Sequence, residues 1–346
     1  MHDKRWLRIG LLVAAVGLVG AFAASAAFTA TGAATSGKTF YFIPKDTLNP
    51  YEVIADKGGK IALTALGNKQ VVQSGTQDTA AAQQPAIQAA IQSHAAGIVI
   101  AANDPKAVCP ALNSAMKAGI KVVAFDSDSS CRQLFINQAD TETIGRSQIQ
   151  LLGQLMGYKG EWAILSAAST ATNQNAWIKY MKLEAKKPKY KNMKYDGIYY
   201  GNDNPAQSRQ ATVSMLQAYP NLKGIESPTT VGISSAAQYL SNKPQYKGKI
   251  VLTGLGLPSQ MKKYVHNGTV KKFALWNPQD LGYLAGYAVT ALADGKITGK
   301  VGETFKAGKL QGGKPYKIIK GPDGRPQVIL GPPFTFDKSN VDKFNL

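Results

Sequence analysis

Nine short apolar runs recur along this chain, and most are followed by a stretch whose apolar residues keep helical spacing. The runs are 40–43, 71–73, 98–101, 121–125, 162–165, 195–200, 224–226, 250–253 and 273–275. Most are rich in β-branched or aromatic residues, and several lack alternation. Continuous apolar strands are buried on both faces, as in parallel sheets. Between them, Ala86 and Ala90, Ile87 and Ile91, Leu112 and Met116, Trp177 and Met181, and Met261 and Val265 keep i,i+4 spacing. Gly119 and Gly268 stand where a helix should stop before the next strand. Strand and helix alternating in this way predict an α/β fold with parallel sheets. Right-handed crossovers then put helices on both faces.

Nine strands fit one wide sheet or two smaller ones. The run 131–139 has no helical period and reads as a crossover, and a fresh strand–helix series starts at Trp162. We therefore read two similar lobes, with the chain crossing near 137–140 and again near 275–278. The first lobe takes 38–138 plus 277–304. The second takes 139–276 plus 305–346. Within that tail the short apolar pieces 316–319, 328–330 and 334–336 read as small strands closing a hinge.

The first residues read as an export signal. Lys4, Arg5 and Arg8 precede an apolar run from Ile9 to about Ala24, and Ala24-Ser25-Ala26 is a small-x-small cleavage site. A transmembrane anchor is the alternative, but a spanning helix takes about 20 apolar residues. No Cys lies near the cleavage site, which argues against a lipid anchor. The mature chain, cleaved near Ala26, is expected in the periplasm. Export bears on Cys109 and Cys131, the only two cysteines. In an oxidising compartment they either close one loop, worth roughly 3 kcal/mol, or stay as buried thiols.

The formal charge is +19, and +2 of it falls within residues 1–26. Such an excess fits an anionic surface or acidic partner, or simply lysines spread over a solvated surface. Export argues against nucleic acid. The densest basic run is 182–194.

The loops after the strands are where α/β proteins bind ligands. The first loop has no G-x-G-x-x-G, the string Gly295 to Lys300 is a residue short of a phosphate loop, and no G-x-S-x-G elbow occurs. His94 and His266 sit late in predicted helices, as surface histidines commonly do. Three His and two Cys leave few metal ligands, so neither metal nor cofactor is expected. A carbohydrate-active enzyme would need paired acids flanking a cleft, and Asp126 has no evident partner.

Five segments in order carry a resemblance. They are Phe42-Ile43-Pro44-Lys45, then Cys109-Pro110 through Phe125-Asp126-Ser127-Asp128 to Asn137-Gln138, then Thr172-Asn173-Gln174-Asn175 with Trp177, then Ser227-Pro228-Thr229-Thr230, then Tyr264-Val265 through Leu275-Trp276. Together, over about 38–346, the chain resembles the periplasmic sugar-binding proteins of ABC importers, above all the rhamnose-binding and autoinducer-2-binding receptors. The resemblance implies a type I periplasmic binding protein: two Rossmann-like lobes joined by a three-strand hinge, closing on a ligand. It implies a bridge between Cys109 and Cys131. It implies a monomer that serves a permease in the inner membrane, with no catalysis.

Autoinducer-2 receptors hold their ligand with a Lys after strand 1, an Asp after strand 4, an Asp-Gln pair and a Pro-x-Ala turn. Lys45, Asp126, Gln174 and Pro228 match that set. Asn173 replaces the acid and Thr230 the Ala, and both departures resemble the rhamnose-binding branch. The ligand expected is therefore a small sugar, rhamnose or a related deoxy sugar, with autoinducer-2 the alternative.

Each residue also has a physical role open to it. An ionised Asp126 accepts two sugar hydroxyls in charge-assisted bonds, or else serves as a cap. Lys45 offers three donors, or is one surface lysine among many. Asn173 and Gln174 offer both donors and acceptors, or cap the helix that follows. Pro228 and Thr230 line the far wall. Trp276 stacks on the sugar or packs the hinge, and Tyr51 is a weaker aromatic candidate. Trp177 and Tyr180 read as core. Asp128 reads as a cap or a lobe bridge.

Overall fold

The computed structural model describes residues 37–346 apart from Lys247, so the expected signal, 1–26, lies outside the described residues. The first half alternates as the periodicity demands. It runs β1 (Thr39–Ile43), α1 (Pro50–Ala65), β2 (Lys69–Val72), α2 (Ala80–Gln92), β3 (Gly97–Ile100), α3 (Cys109–Lys117), β4 (Lys121–Phe125) and β5 (Leu134–Asn137). The second series runs α4 (Thr141–Met156), β6 (Lys159–Ser166), α5 (Thr172–Ala185), β7 (Asn192–Tyr200), α6 (Pro205–Ala218), β8 (Leu222–Ser227), α7 (Thr230–Ser241), β9 (Val251–Gly254), α8 (Pro258–His266) and β10 (Lys272–Leu275). Then come α9 (Pro278–Ala293) and the short strands β11 (Thr304–Phe305), β12 (Tyr316–Lys317), β13 (Ile319–Lys320), β14 (Pro326–Ile329) and β15 (Phe334–Asp337).

Two sheets result, one per lobe. The first has seven strands in the order β13-β14-β5-β4-β3-β1-β2, and the second has four in the order β7-β6-β8-β9. All pairings within them are parallel except β13 with β14. Burial of both faces of the sheet explains the continuous apolar runs. Ile98 and Ile100 pack with Ile87 of α2 and Leu112 of α3, while Val99 and Val123 join Leu63 of α1 and Leu284 of α9. Gly119 and Gly268, expected as helix stops, have left-handed φ values of 87° and 80°. The two cysteines are bridged, with their Cα atoms 5.3 Å apart.

All nine expected strands form, with ends shifted by a few residues. The stretch 131–139 differs from its reading as a plain crossover. Leu134–Asn137 is a fully buried strand beside β4, and the crossing follows it. The chain crosses again between β10 and α9, and a third time between β14 and β15. The tail differs too. Read from sequence as part of the second lobe, it serves both: β14 covers the edge of β5, and β15 pairs antiparallel with β10. An open edge beside β5 would leave unpaired backbone groups, and β14 supplies their partners.

Helices α1 and α9 touch at backbone distance. A Cβ on Gly58 would lie 1.9 Å from the carbonyl oxygen of Gln279, and one on Gly282 would lie 1.8 Å from that of Ala55. This contact brings the start of α1 next to the segment that leads into α9. The basic run 182–194 is partly absorbed by one buried acid. Glu184 accepts hydrogen bonds from Lys187 at 2.5 Å, Tyr190 at 3.0 Å and Arg146 at 3.2 Å.

Candidate functional site

Between the lobes, a buried cavity of about 30 Å³ is bounded by Lys45, Asp126, Asn173, Gln174, Pro228, Thr230 and Trp276. All seven side chains singled out from sequence thus meet at one place. Asn49, Tyr51, Glu52, Trp177, Asp203, Thr229, Leu255 and Leu275 complete its wall.

Strand ends aim these groups. Just past β1, the carbonyls of Pro44 and Lys45 accept from the side chains of Gln83 and Asn103, at 2.9 and 2.8 Å. The loop is thereby fixed, and Lys45 is 2% exposed. Just past β4, Asp126 has φ of 57°, left-handed backbone that a non-glycine residue seldom adopts. One carboxylate oxygen accepts from Tyr51 Oη at 2.7 Å and Gln138 Nε2 at 3.1 Å. The other accepts from Asn173 Nδ2 at 3.1 Å, with Lys45 Nζ at 4.0 Å. The Asn173 bond joins the lobes.

The electrostatics follow from burial and crowding. Burial raises the Asp126 carboxyl above its usual range, opposed by Lys45, Tyr51 and Asn173. Burial works to lower the Lys45 ammonium, but Asp126, Asp78, Asp203 and Glu52 outweigh it and hold the pKa above that of an ordinary lysine. Burial, with Asp126 beside it, pushes Glu52 well up. Asp203 is raised by burial, and Asp78 is pushed by burial to about 7. Several carboxyls therefore share one cation within a chain of large positive charge.

The aromatic wall is continuous. Trp276 Nε1 donates to Tyr51 Oη at 2.7 Å, and the two rings meet edge to face at 6.2 Å. Trp177 meets Trp276 at 5.7 Å. Trp177 is buried, as read from sequence, yet it also faces the cavity. Tyr51, the weaker aromatic candidate, stands at the centre of the network. Asn173 is the second residue of α5 and not its cap. The N-cap is Ala171, which makes no side-chain bond. Asp128 is gripped by Arg132, at 2.8 and 2.9 Å, and by Arg325, at 3.0 Å, while its carbonyl accepts from Thr172 of the other lobe at 3.2 Å.

Glu52 and Asp203 were not found from sequence. An acid in the first turn of a helix is commonplace for reasons of the helix dipole, so Glu52 carries no signal. Asp203 has φ of 45° and is held by Thr229, a pairing that only the fold brings about.

A wider space of about 670 Å³ adjoins the cavity and shares Asn49 and Asp203 with it. Among the described residues, no cluster of His, Cys, Asp or Glu is arranged to hold a metal ion, and no helix is long and apolar enough to cross a membrane.

Residues 40–297 match the family model described as periplasmic binding protein domain. Among solved structures, an ABC transporter solute-binding protein from Clostridium phytofermentas with bound L-rhamnose is 41% identical, with a TM-score of 0.86. The match covers 89% of this chain and 98% of that one. A sugar ABC transporter protein from Actinomyces odontolyticus is 44% identical, with a TM-score of 0.69 and the same coverage. LsrB from Clostridium saccharobutylicum, in complex with AI-2, shares the fold at 24% identity, a TM-score of 0.81, and coverage of 89% and 100%.

Proposed function

The chain belongs to the periplasmic binding protein domain family, whose members are receptors and not enzymes, and on that premise we propose that it binds a small neutral sugar, L-rhamnose or a related deoxy sugar, and delivers it to an ABC transporter. The observation that carries this reading is the 41% identity, over nearly the whole of both chains, to a structure holding L-rhamnose. The cavity supports it. Asp126 accepts sugar hydroxyls, Lys45 and Asn173 donate, Gln174 does either, and Trp276 with Tyr51 covers an apolar face. Pro228 and Thr230 form the far wall. Asn173 and Thr230 are the departures that set autoinducer-2 second.

Binding works through closure. The groups that bound the space come from both lobes and most are buried, so admitting a ring sugar requires the lobes to part. The moving bodies are 38–138 with 277–304 and 139–276, and the tail 305–346 ties them together. A ligand that touches both lobes selects the closed form, which a permease in the inner membrane then reads. The protein acts as a monomer in the periplasm.

Calorimetry and thermal shift with L-rhamnose, other neutral pentoses and hexoses, and autoinducer-2 test the reading. Rhamnose at 100 times its Kd should stabilise the fold by about 2.7 kcal/mol. The Asp126→Ala variant should lose that response. A response to autoinducer-2 alone would overturn the ligand assignment, and turnover of a glycoside would overturn the receptor assignment.

A further inference from the structure

Two buried acceptors without donors face the cavity from opposite lobes. Glu52 is 1% exposed and its Oε2 has no hydrogen-bond partner; Gln174 is 4% exposed and its Oε1 has none. Some of the groups around them are already engaged, while Lys45 Nζ has, among the described residues, only Asp126, at 4.0 Å. Asp126 accepts from Tyr51, Gln138 and Asn173, and Thr229 donates to Asp203. We infer that Glu52 is a specificity-determining residue of this site, whose carboxyl accepts one hydroxyl of the bound sugar and so rejects analogues that lack it.

The inference deepens the sugar reading and rests on it. A helix-dipole role alone would leave Glu52 at the surface, where water would solvate it. Here the side chain is taken out of water at the edge of the ligand space, and an unpaired carboxyl there destabilises the fold. A ligand hydroxyl removes that penalty, and Gln174 imposes the same demand from the other lobe. A site built to pair a hydroxyl discriminates far more sharply against its absence than an apolar pocket does. The high pKa of Glu52 fits a neutral ligand, since a protonated carboxyl still accepts through its carbonyl oxygen.

The test uses the full mature protein and its Glu52→Gln and Glu52→Met variants, titrated with L-rhamnose and its 2-, 3- and 4-deoxy analogues. On the wild type, one analogue should bind about 100-fold more weakly than rhamnose. In Glu52→Met that ratio should collapse to within about threefold, and rhamnose itself should bind at least tenfold more weakly. Glu52→Gln keeps an acceptor and should retain most of the discrimination. Ligand-free Glu52→Met should melt at a higher temperature than the wild type, a gain that a residue needed only for packing would not give. Equal ratios in the wild type and Glu52→Met, or undiminished rhamnose binding, overturn the inference alone. A wild type that binds no neutral sugar overturns the reading beneath it as well.

Discussion

Glu226 lies wholly buried on β8, and neither of its carboxyl oxygens has a hydrogen-bond partner. Burial holds its pKa well above 4.5. The sign of the pH effect follows. Below pH 4.5 the carboxyl is protonated in both folded and unfolded chains, and its full contribution to stability is present. As pH rises, the unfolded chain releases the proton and the folded one keeps it, so stability falls until the folded pKa is passed. Glu226→Met should therefore raise stability at pH 8 by about 1–3 kcal/mol and reduce the loss between pH 5 and pH 8. Urea unfolding at the two pH values checks this, and an unchanged slope would contradict it. The same scale shows what sequence can reveal. Lys45 and Asp126 were legible because each lies within two residues of the end of an apolar strand, where α/β ligands bind. Asn173, Gln174, Pro228, Thr230 and Trp276 were legible through motifs. Glu52 was not, because an acid in the first turn of a helix reads as a dipole partner, and the cavity it faces is completed by Gln174, 122 positions away.

Helices carry the site through their packing. Tyr51 and Glu52 stand in the first turn of α1, and Trp276 stands two residues before α9. The closeness of these groups therefore depends on the glycine contact between the two helices. A methyl at Gly282 meets backbone, which cannot rotate away, so the helices must separate. Gly282→Ala should cost about 3 kcal/mol and weaken sugar binding, because the bond from Trp276 to Tyr51 stretches. Calorimetry and urea unfolding of that variant check both effects, and a wild-type unfolding midpoint would refute the argument. Sequence showed elements far better than it showed their partners. The nine expected strands announced themselves by apolar runs, and Gly119 and Gly268 by their place at helix ends. The four residues of β5, as many as those of β3 or β10, lay in a segment without helical period that read as a crossing. The tail pieces carried no signal of which lobe they join, since that depends on an open edge beside β5 and not on their own sequence.

At the scale of the molecule, closure must be held by contacts that exist only when the lobes meet. The loop after β6 and the first residue of α5 supply two besides Asn173. Thr170 Oγ1 donates to the carbonyl of Asn103 at 3.1 Å, and Thr172 Oγ1 donates to that of Asp128 at 3.2 Å. Both acceptors belong to the first lobe and both donors to the second. Neither threonine borders the central cavity, so neither bears on which ligand is chosen. Each bond between neutral groups is worth about 0.5–1.5 kcal/mol, and both vanish when the lobes part. Replacing both threonines with valine keeps the shape and removes the donors. The double variant should bind its sugar about tenfold more weakly, with faster dissociation and the same ranking of ligands. Replacing both with serine restores the hydroxyls and should bring affinity back toward wild type. Stopped-flow dissociation and calorimetry over a panel of neutral sugars separate the cases. A changed ranking would mean that the threonines shape the cavity, and an unchanged affinity would mean that closure rests on the ligand and Asn173 alone.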